Sequence, residues 1–581
     1  MVDFDLILRI PEDEMHPFTR KVRSLLAGTL AAVLVSLALF LITSRAAWSW
    51  ILPLSLIVNL IVLVSAGLHG SRGGILAVLR GQFPPHPDKV PRAIHTLSLP
   101  PFSSEEVEVV VDGSQPIARL SDRFLSAAVD LSQVVGGKWW DPAADHIELS
   151  SGSLESPVFD FNRPLLDRMV APLSPFYLRV GGSEADKVFY SLDDDPAVPP
   201  GYASVLTRSQ WDSIHAFCER NNCKLIFTLN AGPASRREDG SWNTANAEAL
   251  MAYAAAEGQK VYAWELGNEV NVFFAVHGWK TQIDAKQYCN DLRVLRGLLD
   301  RYFPQSLLAS QGSAYWPVLG ETLNDFFGFS EETLRQANGL IDIFTWHYYP
   351  QQSRRCPFGT RRAHPARLLD PYNLDEAAHW AEQINRLRDR YAPGLPVWLG
   401  ETGSAQCGGE PGVSDTFISG LWWLDELGLM ARMNHPVVVR QSLTGMDYGL
   451  LDEATLSPRP DYWNSLLWKR LMGDTVYPVR VRGSSKVRIY AHSKAGGGIS
   501  LLAINLNRDK AVRIGLAQFR HLAVESYLLT APDLLGETVW LNGQPLMLDA
   551  DGSLPPMEGK AMPPGETLTL PPLSYGFFIY P

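Results

Sequence analysis

Residues 264–271 read W-E-L-G-N-E-V-N directly after the apolar run V-Y-A, and residues 396–404 read P-V-W-L-G-E-T-G-S. Both look like buried strands that end in carboxylates: Glu265 and Glu269 in the first, Glu401 in the second. A carboxylate is costly to bury unless it is paired or chemically used. Two carboxyl groups ~5 Å apart can cleave a glycosidic bond with retention, one attacking the anomeric carbon while the other protonates the leaving oxygen and later deprotonates water. The acid partner must keep its proton near neutral pH, which burial or its neighbour's negative charge can arrange. Asn268, beside Glu269, is placed to hydrogen-bond a sugar 2-hydroxyl. A single Glu at a strand end is ordinarily a solvated rim residue or a helix cap, and Glu265, one residue further in, reads better as a structural partner of Arg179 or a Trp. The combination of G-N-E after one strand and G-E after another is much more specific than either alone.

Such a pair needs a scaffold that brings distant strand ends together. Between about residues 119 and 473, short apolar runs alternate with helical stretches, which predicts parallel strands with crossover helices. Eight strands are expected, at 124–130, 176–180, 224–230, 261–266, 306–310, 341–346, 396–401 and 436–441. Segments 209–220, 285–300 and 374–391 carry apolar residues at three and four spacing, as helices packed on such strands do. Eight units fit a closed (β/α)8 TIM barrel, whose catalytic groups collect at the carboxyl ends of the strands. Polar residues recur there: Asp130, Arg179, Asn230, Glu269, Gln311, His347, Glu401 and Gln441. The fourth and seventh strands approach across the mouth, so Glu269 and Glu401 can flank one bond.

The flanking regions differ from this α/β body. After Gly473, alternating runs at 487–492, 498–506, 525–531, 566–570 and 575–580 read as antiparallel strands of a C-terminal β-sandwich over 474–581, and 105–118 has the rhythm of a strand joining that sandwich. At the other end, 25–43 and 51–68 are charge-free and long enough to cross a bilayer, giving a transmembrane hairpin over 25–68 behind a tail at 1–24. Residues 69–104 follow as a linker in which 82–101 carries Pro84, Pro85, Pro87, Pro91, Pro100 and Pro101, a stiff tether. Arg20, Lys21 and Arg23 before the first run and Arg72 and Arg80 after the second keep both ends cytoplasmic under the positive-inside rule. Cleavage of the first run as a signal peptide would instead put the large domain outside.

A formal charge of −11 over 581 residues argues against nucleic acid as a partner, because phosphate neutralisation needs a basic footprint. Cys218, Cys223, Cys289, Cys356 and Cys407 are few, odd in number and scattered, which is not the pattern of a disulfide framework. Cys218 and Cys223 lack a second pair for zinc. Neither a metal nor an organic cofactor is expected, since two carboxylates suffice for the hydrolysis. Arg354, Arg355, Arg361, Arg362 and Arg367 crowd the loop after strand six, where a basic patch could attract an acidic polysaccharide. A loop whose arginines pair with nearby Asp and Glu is an equally good reading.

Several segments in order resemble the heparanase-like enzymes of glycoside hydrolase family 79: W-E-L-G-N-E-V-N, V-W-L-G-E-T-G-S-A-Q-C-G-G (397–409), the helical run at 414–433, P-D-Y-W-N-S-L-L-W-K-R-L-M-G (460–473), L-L-A-I-N-L-N (501–507) and L-P-P-L-S-Y-G-F-F (570–578). The resemblance runs from near Phe124 to the carboxyl end. It implies Glu269 as acid/base, Glu401 as nucleophile, Tyr349 as the phenol bonded to that nucleophile and His347 as its pocket-lining companion. It further implies that Asp130 and Ser183 hold sugar hydroxyls, although Asp130 also suits a helix cap. Tyr448 and the backbone N–H groups near Cys407 and Gly408 would receive a uronic acid carboxylate. The implied activity is that of a retaining β-glucuronidase acting on an acidic glycan. The alternatives are an exo-acting hydrolase of short glucuronides or arabinogalactan termini, and a silent glycan-binding membrane protein. The excised linker of the family's mammalian enzyme has no counterpart here, and A-S-Q-G-S-A-Y-W-P (309–317) lacks the Gln and Arg residues that grip sulfated sugars there.

Overall fold

The computed structural model describes residues 104–139, 154–321, 328–356, 359–494 and 496–581. The apolar runs at 25–43 and 51–68 and the Pro-rich tether lie outside these residues. Among the described residues no helix is long and apolar enough to cross a membrane.

The eight runs expected as strands fall on β1 (Leu125–Asp130), β2 (Phe176–Gly181), β3 (Cys223–Leu229), β4 (Ala263–Leu266), β5 (in two pieces, Leu307–Leu308 and Ser313–Tyr315), β6 (Phe344–Tyr348), β7 (Val397–Thr402) and β8 (Val438–Arg440). A helix follows each in turn: α1 (Pro164–Val170), α2 (Arg208–Arg220), α3 (Ala245–Ala256), α4 (Ala285–Tyr302), α5 (Phe329–Gln336), α6 (Pro371–Tyr391), α7 (Phe417–Arg432) and α8 (Pro460–Leu471). Successive strands pair in parallel, and β8 returns to β1 through Val438 opposite Leu125. The junction of β5 and β6 is made by Ser313–Tyr315 and by a parallel bridge between Ala309 and Ile343, which closes the ring. This is an α/β barrel of the TIM type.

The fifth strand is the one that departs from a single expected run. Gly312, at φ +61°, turns the chain between its two pieces, and a Cβ there would lie 2.1 Å from His347 Nε2. Only glycine lets the backbone pass so close to that ring.

Alternation along the strands separates a dry plug from a polar layer. Tyr177, Ile226, Ala263, Ile343 and Trp398 belong to one apolar cluster inside the barrel, with the Tyr177 and Trp398 rings 5.1 Å apart. Two residues further along, on the same faces, stand Arg179, Thr228, Glu265 and Thr345. The interior therefore changes from aromatic to hydrogen-bonding toward the carboxyl ends of the strands.

Two sheets of mostly antiparallel strands brace this body. Ser104–Val111 pairs antiparallel with Val479–Arg482 and parallel with Ala511–Gly515. The facing sheet contains Val487–Ser493, Ile499–Asn505, Ser574–Tyr580 and Val524–Thr530. Leu501 and Ala503 point into the core shared by the two sheets, whereas Leu502 and Ile504 join the large cluster that includes α7. The Tyr490 hydroxyl donates to Asp425 Oδ1 at 2.6 Å, and its ring passes so near Gly428 that a Cβ there would lie 2.4 Å from it. This contact packs the sheet on α7, whose residues 417–431 are all buried.

Candidate active site

Glu265 and Glu401 both meet Arg179 directly. The buried Arg179 guanidinium donates from Nε to Glu265 Oε2 at 2.8 Å, from Nη1 to Glu401 Oε2 at 2.8 Å and from Nη2 to Asn268 Oδ1 at 2.9 Å. Thr228 Oγ1 also donates to Glu265, so this carboxylate is fully engaged in holding Arg179 and has a structural role. A buried charge pair is strongly destabilised when one partner is removed. Arg179→Met should lower stability by about 3–5 kcal/mol, read as a large fall in Tm, because two carboxylates lose their counter-charge; an unchanged Tm would contradict this.

Glu401 reaches the site through a register shift. In the pairing of β6 with β7, Trp346 faces Leu399 but His347 faces Glu401, so Gly400 is passed over. Strict alternation from the inward Trp398 would point Glu401 outward; the bulge turns it into the barrel. There the Tyr349 hydroxyl donates to Glu401 Oε1 at 2.6 Å.

Glu269 stands just past β4 in the left-handed region, at φ 52° and ψ 46°, an uncommon conformation for a residue with a side chain. Its N–H donates to the Gln311 carbonyl at 2.8 Å, and the preceding Asn268 N–H donates to Asp186 Oδ2 at 2.9 Å. His347 Nδ1 is 2.9 Å from Glu269 Oε1 and 3.7 Å from Glu401 Oε2. One oxygen of each glutamate and a His347 ring nitrogen all lie within 4.8 Å of one another. Carboxyls of a double-displacement pair lie ~5–5.5 Å apart and those of an inverting pair ~6.5–9.5 Å, so the spacing here is of the first kind. Among the described residues these three form the group able to hold a metal, yet the Arg179 guanidinium on Glu401 would repel a cation.

The two carboxyls are pushed apart electrostatically. Burial drives both upward. For Glu269 this burial, with the charge of Glu401, outweighs the His347 hydrogen bond and Arg179, leaving the carboxyl above its ordinary range. For Glu401 the combined pull of His347, Arg179 and the Tyr349 phenol outweighs burial and leaves it below. One environment favours the acid and the other the carboxylate.

The remaining sequence-named residues surround this centre. Asp130 accepts from Ser132 N at 3.1 Å and so caps the short helix Leu131–Val135, while its other oxygen lies 3.4 Å from Gln441 Nε2; burial raises it to about 8. The capping reading is thus met by one oxygen, while the other faces Gln441. Asn268 Nδ2 is 3.5 Å from Ser183 Oγ. The Tyr448 and Tyr349 rings are stacked with centroids 6.5 Å apart. Cys407 and Gly408 both have positive φ, and Gly408 accepts from Asp447 N at 3.0 Å.

Of the basic patch expected in the loop after β6, three arginines turn inward and cannot serve it. Arg355, Arg361 and Arg367 are buried, Arg355 on Asp447 and Arg361 on Glu376 and Asn373. Arg362 donates to the Ser353 and Cys356 carbonyls, and the half-exposed Arg354 pairs with Glu410. Arg355, Arg361 and Arg367 thus fold the loop, while Arg354 and Arg362 stay exposed beside Glu410 and the loop's own carbonyls. Two of the scattered cysteines also form a bond: Cys356 joins Cys407, tying the loop after β6 to the loop after β7. Sequence reasoning also missed Asp186. It accepts from Ala231 N and Asn268 N, and burial raises it to about 7 against those two bonds. In S-E-A-D-K it resembles any solvated charged turn.

Residues 106–428 match the family model described as glycosyl hydrolase family 79, N-terminal domain. The chain is 33% identical to heparanase of Mus musculus over 527 residues, covering 80% of this chain and 91% of that one. It is 31% identical to inactive heparanase-2 of Mus musculus over 397 residues, 64% of each. Its fold is similar to that of the GH51 arabinofuranosidase from Xanthomonas axonopodis pv. citri, with a TM-score of 0.57 at 16% identity over 82% of this chain and 100% of that chain.

Proposed function

This chain belongs to glycoside hydrolase family 79, and from that membership and the paired carboxylates we infer a retaining β-glucuronidase acting on uronic-acid-containing glycans. The observation that carries the reading is the approach of Glu269 and Glu401 to within 4.8 Å, with their protonation states pushed in opposite directions. In the first step a Glu401 oxygen bonds to the anomeric carbon, the glycosidic C–O bond breaks, and the leaving oxygen takes the Glu269 proton. In the second, water gives a proton to Glu269 and its oxygen to the anomeric carbon, releasing Glu401. Arg179 and Tyr349 hold the attacking carboxylate in place. The long Asn268 to Ser183 contact can yield to a sugar hydroxyl, and Asp130 offers a second polar wall. Tyr448 and the Cys407 and Gly408 amides receive the sugar carboxylate, uncharged donors that leave the catalytic pair's charges undisturbed.

Activity of this kind has a bell-shaped pH profile. Glu401 lies below its ordinary value, so it remains ionised well into the acid range; Glu269 lies above its own, so it keeps its proton further toward neutrality. Because the pair is coupled, two macroscopic limbs are expected, with an acidic to near-neutral optimum. A profile of kcat/KM that rises monotonically from pH 4 to pH 9 would exclude these assignments. The direct test of the reading is turnover of an aryl β-D-glucuronide against matched β-glucoside, β-galactoside and α-arabinofuranoside. Selective cleavage of the glucuronide supports it, and cleavage of only the neutral glycosides overturns it.

A second reading, exo-acting hydrolysis of short glucuronides or glycan termini, gains from the inward Arg355, Arg361 and Arg367, which leave less of a basic track for a long sulfated polymer to follow. Product lengths from heparosan and heparan sulfate separate it from internal cleavage. Against a silent binding protein stands the intact grouping of Glu269, Glu401, His347 and Tyr349. We also propose a membrane location from the apolar runs at 25–43 and 51–68. The Cys356–Cys407 bond supports a catalytic domain on an oxidising side, against the orientation the flanking charges give. Protease accessibility in sealed vesicles of known orientation decides the side.

A further inference from the structure

Two adjacent residues of the loop after β6 grip the loop after β7 in different ways. Cys356 is bonded to Cys407, their Cα atoms 5.5 Å apart. Arg355, fully buried, donates from Nη1 to the Gly409 carbonyl at 3.0 Å and from Nη2 to Asp447 Oδ2 at 2.6 Å. Asp447 immediately precedes Tyr448 and donates its own N–H to the Gly408 carbonyl at 3.0 Å. A Cβ on Gly409 would lie 2.8 Å from Tyr448 N, so the two loops already touch behind the pocket. Segments 407–409 and 447–448 carry the Cys407 and Gly408 amides and the Tyr448 phenol assigned above to the substrate carboxylate, and the present inference rests on that assignment.

We propose that Arg355 is a specificity-determining positioning residue: it staples these two segments into one carboxylate-receiving shelf and cancels the Asp447 charge that would otherwise repel a uronic acid. The shelf's own donors carry no net charge, so its preference for an anion depends on where its N–H and O–H groups point and on the charges just behind them. Asp447 is the negative charge nearest that shelf in sequence, and its ion pair with Arg355 is buried on the arginine side. Arg355 is also felt at the Tyr448 phenol: burial, Asp130 and Glu401 push that group well up, while Gln441 and Arg355 oppose them. With the arginine gone, a carboxylate entering the shelf meets an unpaired carboxylate. A neutral sugar with a hydroxymethyl group in the same place does not, so the defect distinguishes the two ligands. A general loosening of the fold would not.

The test compares two iminosugar inhibitors of the same ring configuration, one with a carboxylate and one with a hydroxymethyl at the carbon that bears the uronic acid group, together with KM and kcat on an aryl β-D-glucuronide. In Arg355→Met, the Ki of the carboxylate inhibitor and the KM of the glucuronide are expected to rise about tenfold or more, with little change in kcat or in the Ki of the neutral inhibitor. Arg355→Lys keeps the charge and should retain most of the preference. Adding Asp447→Asn to Arg355→Met should restore much of it. Should Arg355→Met not fold, Asp447→Asn alone carries the test: it removes the negative charge behind the shelf and should tighten the carboxylate inhibitor relative to the neutral one. Equal changes for both inhibitors, or none, overturn the inference. A wild-type enzyme that neither cleaves the glucuronide nor prefers the carboxylate inhibitor overturns the functional reading and this inference with it. A wild type that shows the preference, with variants that leave it intact, overturns this inference alone.

Discussion

Glu401→Gly is expected to reduce hydrolysis of an aryl β-D-glucuronide by more than roughly 10⁴-fold, since the variant removes the atom that forms the covalent bond. The loss should be specific in kind. Glycine leaves a space beneath the anomeric carbon, next to the Tyr349 hydroxyl and Arg179 Nη1 that formerly held the carboxylate. Azide can enter this space, attack from the same face and give the α-glucuronosyl azide by one inversion. Rescue by azide with an α product identifies Glu401 as the attacking group. A β product, or residual hydrolysis within about tenfold of wild type, would mean that the bond is formed elsewhere.

Glu269→Ala is expected to behave differently because it removes a proton donor. For a glucuronide whose leaving group needs protonation, the loss should be about 10²–10⁴-fold, the usual worth of a positioned acid or base. For a dinitrophenyl glucuronide, whose leaving group departs unaided, formation of the intermediate should be nearly unimpaired and its breakdown slow, giving a burst followed by a low steady rate. Azide needs no general base and should accelerate that second stage, yielding the β-azide by two inversions. An equal loss on both substrates, with no burst, would remove Glu269 from the acid/base role.

The two carboxylates were legible because residues of that type rarely end apolar strand runs, and because two such runs recur at positions four and seven of an eightfold alternation. Their orientation was not legible. Alternation from Trp398 would send Glu401 out of the barrel, and the register shift at Gly400 that turns it inward depends on how β7 pairs with both neighbours. The left-handed turn at Glu269 likewise depends on Asp186 and Gln311, which are 83 and 42 positions away in sequence. Arg179 was visible as a charge inside F-Y-L-R-V, but its simultaneous grip on Glu265, Glu401 and Asn268 required the closed barrel.

The arginine loop stood between two readings for the same reason. Sequence shows a run of positive charge, whereas Asp447, Glu376 and Glu410, which neutralise three of those arginines, come from other segments. An odd count of scattered cysteines similarly concealed the one pair that the loops after β6 and β7 bring together. In both cases the local signal was correct about composition and silent about partners. The apolar plug and the helical faces were easier to read because hydrophobic periodicity is local.

Glu269 and Glu401 are expected to act on one bond in two displacements. Following hydrolysis of an aryl β-D-glucuronide by proton NMR from the first minutes, before mutarotation equilibrates the anomers, tests this most directly. β-Glucuronic acid is expected to appear first and the α anomer only later. If α-glucuronic acid appears first, the reaction inverts, and the double-displacement mechanism with Glu401 as nucleophile is wrong.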